Sequence, residues 1–463
     1  MNAEREMQWD NLTAEVNALG GDGKEFTAAM RELFSLYTEE IIYWYAGLFE
    51  PNIGGFYFAN SARDAYGYFP DIEATQHCLG FFEKFDGVCN YKDVTPLWMK
   101  IRIGRWIKGL QDPNGYFYHP QWDKKFVDTK LSRKGRDLNY GLGIMTSFGY
   151  EPTYDTPLGH KGDGLLPNGA PVELPKNTQS IPQSERPAKK KSTLKFSDHL
   201  ESVETFRAYL DGLYPDLCKR PYWTGNQFAN QVGQIKARDK MLRELGETVS
   251  LTDMLVDWFN ARQNPETGNW YHPEKGDRDG NAHLYSYEGT NSLLKIIDVY
   301  NQLGRELNYP LEAARSAMKA ISTPTPPSAV VDVYNAWFAV CQVINNIRNF
   351  SHRPEEERIA DIAAIRRELL KDASAAILAS RDKMSVFKRP DHGFSYTPNG
   401  TSITSQGMPV ALPGFDESDT NASVIALGFN VYLYRAFDLT PIKPYSSELL
   451  EKYLELLDSK RPK

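Results

Sequence analysis

"GLQDPNGYFYHP", Gly109 to Pro120, and "RQNPETGNWYHP", Arg262 to Pro273, are one phrase written twice in the same chain. Each closes a helical pattern on a glutamine, Gln111 or Gln263. Each then runs through Asp-Pro or Asn-Pro to a glycine, a group of aromatics and His-Pro. Proline stops the helix and glycine permits the turn. Two shorter copies keep the glycine-aromatic centre: "GGFYF", Gly54 to Phe58, and "HGFSY", His392 to Tyr396. These two lead into helices that open alike, Pro70-Asp71-Ile72-Glu73-Ala74-Thr75 and Ser418-Asp419-Thr420-Asn421-Ala422-Ser423. Asp71 and Asp419 suit N-caps, where a carboxylate accepts from free backbone N–H groups. The recurring unit is helix, glycine-aromatic turn, loop, helix. Such a unit cannot bury its apolar face alone, so its copies must pack side by side.

Outward from these turns, most of the chain carries apolar residues at helical spacing. The pattern runs from Phe26 to Phe49 and over about 70–86, 95–111, 133–149, 198–213, 225–246, 251–263, 284–304, 310–321, 328–350, 355–384, 418–437 and 446–459. Strand-like alternation is scarce, and the expected class is all-α.

The helix–"Q(D/N)P..G.(F/W)Y"–loop–helix units resemble those of α/α-toroids, over about residues 25–460. The resemblance implies an (α/α)n toroid, complete or incomplete, of about six to seven helical hairpins. Paired helices would form an inner and an outer ring, with long loops at one end building a cleft. Terpenoid cyclases, protein prenyltransferases, glycoside hydrolases and polysaccharide lyases share that class. The aspartate-rich DxDD or DDxxD motif of a terpenoid cyclase does not occur in this sequence. The expected organisation is a single domain over 1–463. Within it, the Pro/Gly-rich stretch 152–195 reads as a long loop or lid, or alternatively as a linker between halves.

Composition narrows the function. Hydrophobic residues are 41% and aromatics 13%, with 26 Tyr, 23 Phe and 9 Trp. Rings of that number fill a core and also offer platforms for flat ligand faces. The formal net charge of −7 argues against broad attraction to nucleic acid or an anionic membrane. The basic run Lys189 to Lys191 reads as solvated loop. Of the four cysteines, Cys78 and Cys341 lie in apolar helical patterns. No structural disulfide is indicated, although Cys78 with Cys89 stays open. The polar start "MNAEREMQWDNLTAEV" lacks the apolar stretch of a secretory leader, and no run has transmembrane length. The expectation is a soluble, cytoplasmic protein, with a processed secreted form open. No metal, nucleotide or nucleophile-elbow motif occurs, so neither metal nor cofactor is expected.

Four stretches carry candidate chemistry. "DRDGNAHLYSYEG", Asp277 to Gly289, offers Arg278, Asn281, His283, Tyr285, Tyr287 and Glu288. That set matches β-elimination at a uronic acid. A cation or amide neutralises the carboxylate, a His or Tyr takes the α-proton, and a Tyr or water protonates the leaving oxygen. Tyr287 or Tyr285 would serve as base and acid, with His283 as partner base and Arg278 on the carboxylate. "YWTGNQFANQVGQ", Tyr222 to Gln234, places Asn226 with Asn230, and Gln227 with Gln231 and Gln234, on shared helical faces behind a Thr224 or Gly225 cap. Asn226 and Asn230 are candidates for the carboxylate, and Gln227 for substrate. "NSARDAYGYFPDIEAT" contains Arg63, Asp64, Asp71 and Glu73, and "PGFDESDTNAS" contains Asp416, Glu417 and Asp419. Carboxylates paired across a bond suit a glycoside hydrolase. Trp223 and Trp270 are candidate sugar platforms. His119 and His272 share one place in the repeat and read as structural, and His77 as core. The expected function is a carbohydrate-active enzyme, a uronate lyase first and a hydrolase second. A non-catalytic glycan-binding toroid is the third alternative.

Overall fold

The computed structural model of the chain describes residues 3–172, 195–272 and 287–463. These residues are mostly helical, as the apolar spacing predicts. In chain order the helices are α1 (Ala3–Ala18), α2 (Gly23–Phe34), α3 (Ile41–Gly47), α4 (Asn60–Asp64), α5 (Ile72–Phe81), α6 (Tyr91–Val94) and α7 (Leu97–Gly109). There follow α8 (Lys124–Asp128), α9 (Leu131–Ser147), α10 (Val203–Lys219), α11 (Pro221–Ala229), α12 (Val232–Glu244) and α13 (Leu251–Asn260). The last seven are α14 (Tyr287–Leu303), α15 (Pro310–Ser322), α16 (Val330–Phe350), α17 (Glu355–Leu370), α18 (Ala373–Ser385), α19 (Thr420–Phe437) and α20 (Ser447–Asp458). The described strands form two short antiparallel hairpins, β1 (Phe49–Glu50) with β2 (Gly55–Phe56), and β3 (Thr404–Ser405) with β4 (Met408–Pro409).

The repeated phrase folds the same way each time. The backbone turns through positive φ at Gly54 (103°), Gly115 (90°), Gly268 (66°) and His392 (73°). Two residues on come Phe56, Phe117, Trp270 and Phe394, all fully buried. The Asp112, Asn264 and Arg389 N–H groups close the turn onto the carbonyls of Tyr116, Asn269 and Gly393. Gln111 and Gln263 play one role. Their Nε2 atoms donate to the next loop at Tyr154 O (3.0 Å) and Asn308 O (2.8 Å), and back to the turn at Gly115 O and Gly268 O. The two shorter copies agree further. Asp71 N and Asp419 N donate to Phe56 O and Phe394 O. Thr75 Oγ1 and Ser423 Oγ accept from Phe56 N and Phe394 N, each at 3.0 Å.

Six helices carry the interior. α5 packs on α9 and α19, α9 on α11, α11 on α14, α14 on α16, and α16 on α19. Their amino-terminal turns meet at one end. Glu288 of α14 accepts from Tyr222 N of α11 (3.1 Å), Asn291 of α14 donates to Asp332 of α16 (2.8 Å), and Val330 N of α16 donates to Tyr396 O beside α19 (3.0 Å). Amides run down α14 and α16 together: Asn335 with Asn291, Asn301 with Gln342, Asn346 with Asn301. Matched offsets of this kind require the two helices to run parallel. The other helices cover these six, among them α15 on α16, α7 on α9, α10 on α11 and α12 on α14, with α2 packed on α18.

Several boundaries differ from the apolar spacing. The pattern from Phe26 to Phe49 divides into α2 and α3, because Tyr37 turns inward and its hydroxyl donates to Ala426 O at 3.0 Å. The 225–246 helix begins earlier, with Pro221 in its first turn, so neither Thr224 nor Gly225 caps it. It breaks after Ala229, where the Asn230 side chain takes the Asn226 carbonyl (2.7 Å) and competes with the backbone ladder. The 355–384 pattern is two helices. The polar start forms α1, whose Trp9, Leu12 and Val16 are buried at helical spacing. Cys78, Cys89 and Cys341 are free thiols. No described helix is long and apolar enough to cross a membrane.

Candidate functional site

The α9 sequence "RKGRDLNY" places Arg133, Arg136, Asp137 and Tyr140 at i, i+3, i+4 and i+7, one face of a helix. That face meets Asp71, Glu73 and His77 of the α5 region. The Arg133 side chain is fully buried and reaches three carboxylates. Nη1 donates to Glu73 Oε2 (2.6 Å), Nη2 to Asp71 Oδ1 (3.2 Å) and Nε to Asp137 Oδ2 (2.9 Å). The Trp122 ring lies 4.4 Å from its guanidinium. Arg136 pairs with the other Glu73 oxygen through Nη1 and approaches Asn226 Oδ1 at 3.4 Å through Nη2.

The β3–β4 hairpin roofs this cluster. Ser405 Oγ donates to Glu73 Oε2 (2.6 Å), and Gln406 Oε1 accepts from Asn226 Nδ2 (2.8 Å) and Ser132 Oγ (2.6 Å). Gln406 is held at φ 51°, a left-handed conformation that costs a non-glycine residue about 1–2 kcal/mol. Trp122 Nε1 anchors the hairpin base at Pro409 O (3.0 Å).

The electrostatics separate the acids. Burial pushes Glu73 up, but Arg136 and Arg133 outweigh it and hold the carboxyl at about 2. Burial dominates at Asp137 and lifts it to about 7 despite Arg133. Burial lowers His77 to about 4, so its imidazole is neutral at pH 7. Neither ring nitrogen of His77 bonds among the described residues, and Nδ1 is buried without a partner. The Tyr140 ring stands 6.2 Å from it, edge to face, and the Tyr140 hydroxyl makes no hydrogen bond among the described residues. Burial raises the Tyr140 phenol, with Arg136 opposing.

Half-buried side chains recur along the helices at spacings of one or two helical turns. They include Lys295 and Asp298 on α14, Tyr334, Phe338 and Cys341 on α16, and Val424, Ile425 and Tyr432 on α19. Phe338 stacks on Tyr432 at 4.0 Å, and the Tyr334 and Tyr432 hydroxyls meet at 3.2 Å.

Of the residues singled out by sequence, Asn226, Asn230 and Glu73 converge here, and Asn230 Nδ2 donates to Ser132 Oγ at 2.9 Å. Gln227 lies on the same helix, buried, its carbonyl accepting from Gln231 Nε2. Asp71 and Asp419 are N-caps, accepting from Ala74 N (2.8 Å) and Ala422 N (2.7 Å). Burial lifts Asp419 to about 7, against the bonds it accepts. Asp416 is exposed and pairs with Arg389 at 3.3 Å, while Arg63 and Asp64 pair with each other at 2.7 Å. Glu417 turns inward to accept from Ser61 N. Trp270 is no sugar platform: it is fully buried against Phe259 and Tyr300, and its Nε1 donates to Phe259 O. Trp223 is exposed, with Arg220 over its ring. The Tyr287 hydroxyl is taken by Thr325 O at 2.8 Å, and Glu288 holds the start of α11. Arg278, Asn281, His283 and Tyr285 lie outside the described residues.

His119 Nε2 donates to Pro70 O ahead of α5, and His272 Nε2 donates to Arg262 O just past α13, so both serve the turns. The residues that sequence reading passed over are Arg133, Arg136, Asp137 and Tyr140. Their signal was the charged stripe itself, which on an ordinary helix would face water. Among the described residues no group of three His, Cys, Asp or Glu side chains could hold a metal ion. Comparison with protein-family models, curated proteins and solved structures gives no match to this chain.

Proposed function

We propose that the six interior helices close an α/α-toroid around a lumen, and that the lumen cleaves acidic glycans by β-elimination. The closed sequence of neighbours supports the ring: α5, α9, α11, α14, α16, α19 and α5 again. The half-buried stripe on successive helices supports a lumen, because a solid core would bury it. The amino-terminal turns meet at one end, and their aligned peptide dipoles favour an anionic guest there.

The observation that carries the chemistry is a guanidinium and an amide, Arg136 and Asn226, set beside a neutral imidazole and a free phenol, His77 and Tyr140. Arg136, positioned by Glu73 and Asn226, receives the uronate carboxylate, which stabilises the carbanion-like charge that develops next to it. His77 takes the proton from C5. The electrons of that C–H bond form the C4=C5 double bond, the C4–O bond breaks, and Tyr140 protonates the departing oxygen. The arriving carboxylate adds negative charge near His77 and raises its basicity toward working pH. This reading moves the base and acid from Tyr287, whose hydroxyl is engaged, to residues whose polar atoms are free.

A second reading rests on one contrast. Glu73 at about 2 and Asp137 at about 7 are carboxyls pushed apart, as an acid and a base of a hydrolase are. Both are closed behind Arg133, which favours elimination. Digestion of a uronic-acid polymer separates the two. Elimination gives a conjugated product that absorbs in the low ultraviolet, and Tyr140→Phe lowers its rate by about 10²–10⁴-fold. Reducing ends without absorbance would establish hydrolysis. Binding without either product would leave a glycan-binding toroid.

A further inference from the structure

Lys295 is, like Lys84, an interior lysine lowered to about 8 by burial. It lies on the half-buried face of α14, and its ammonium makes no hydrogen bond or ion pair among the described residues. α14 meets α11 at Gly225 so closely that a Cβ there would come within 3.0 Å of Lys295 Cβ. Asn226, the amide that contacts Arg136, is the next residue. The charges that act on Lys295 are Arg136, Asp298 and Glu73. The two carboxylates have other partners. Asp298 accepts from Gln302 Nε2 (2.7 Å) and Gln342 Nε2 (3.4 Å), and Glu73 accepts from Arg133, Arg136 and Ser405. Burial with Arg136 opposite lowers the amine to about 8, so it remains largely charged at pH 7.

An unpaired ammonium that feels a second cation is costly in a protein interior. The cost falls when an anion binds beside it. Resting on the acidic-glycan reading above, we infer that this lumen takes a saccharide with two anionic groups, the first at Arg136 and the second at Lys295. The second group is a sulfate ester or a neighbouring uronate. Level with Lys295 in the register of α14 and α16, the stacked Phe338 and Tyr432 offer an apolar face for the sugar that carries these charges.

The first test needs no turnover. Acetylation of Lys295 in the full-length protein is followed by mass spectrometry with inorganic sulfate or chloride at equal ionic strength. Sulfate is expected to slow labelling of Lys295 several-fold, while exposed lysines such as Lys161 react alike in both salts. Equal labelling of Lys295 overturns the second-anion site, whatever the protein cleaves. Protection without an absorbing product from any uronic polymer keeps the anion site and removes the elimination reading. The second test compares Lys295→Gln with the unaltered protein by calorimetric titration, using a homopolymeric oligouronate and a sulfated uronic oligosaccharide. Loss of about tenfold on the sulfated ligand alone identifies sulfate, and loss on both identifies a neighbouring uronate. No loss on either overturns the inference. Lys295→Met, close in shape, with unchanged melting behaviour shows that the effect comes from the charge.

Discussion

Replacing Arg133 by Met removes the charge that three buried carboxylates share while keeping an unbranched side chain under Trp122. The structure sets the distribution of the damage. Asp71 keeps its cap on Ala74 N, and Glu73 keeps Arg136 and Ser405. Asp137 keeps nothing that is shown, because Oδ2 loses Arg133 and Oδ1 already lacks a partner. Breaking a buried pair by removing one member costs about 3–5 kcal/mol, which is the expected loss at neutral pH. The pH dependence has a definite sign. Asp137 already sits above its unfolded value at about 7, so it costs stability as pH rises through the window from its unfolded pKa to its folded one. Without Arg133 the folded value climbs further and the window extends to higher pH. Glu73 and Asp71 also lose a charge that favours their ionised forms. The penalty of Arg133→Met therefore shrinks on acidification. Urea denaturation at pH 8 and pH 5, for both proteins, measures it. A loss under about 1 kcal/mol that is the same at both pH values, as for an exposed ion pair, would refute the cluster as drawn. R133M/D137L, which removes the stranded carboxylate, is expected to recover at least half of the loss.

Other outcomes follow from single features. Asp419→Ala removes the cap of α19 and the acceptor of Tyr396 N, and thermal melts should show a loss of about 1–2 kcal/mol. His392→Gly should raise stability by up to about 1–2 kcal/mol in the same assay, since His392 carries the positive φ that glycine carries in the other three turns. Gly268→Ala should do the opposite and cost more than its strained φ alone, because the new Cβ would come within 2.3 Å of Ala313 N.

The repeated turns were legible in the sequence because their determinants are local. A glutamine at a helix end, a glycine at positive φ and an aromatic after it need only neighbours in the chain to be recognised. Apolar spacing placed most helices for the same reason, and it failed where a side chain overrode it, at Tyr37 and Asn230. Asp71 and Asp419 were legible as caps, since a cap is a contact over three residues.

The interior site could not be read that way. Arg133, Arg136, Asp137 and Tyr140 form a stripe that looks the same in sequence whether it faces water or other helices. Only packing of α9 against α5 and α11 turns it inward, where desolvation makes each charge depend on a partner distant in the chain. Trp270 shows the converse: a tryptophan in a loop-like phrase suggests a ligand platform, yet the turn folds it into the core. The chain alone determines most of the helical segments and the closure of the repeated turns. Which faces meet, and hence which polar atoms remain without a partner, depends on contacts between residues far apart, and those exist only after folding.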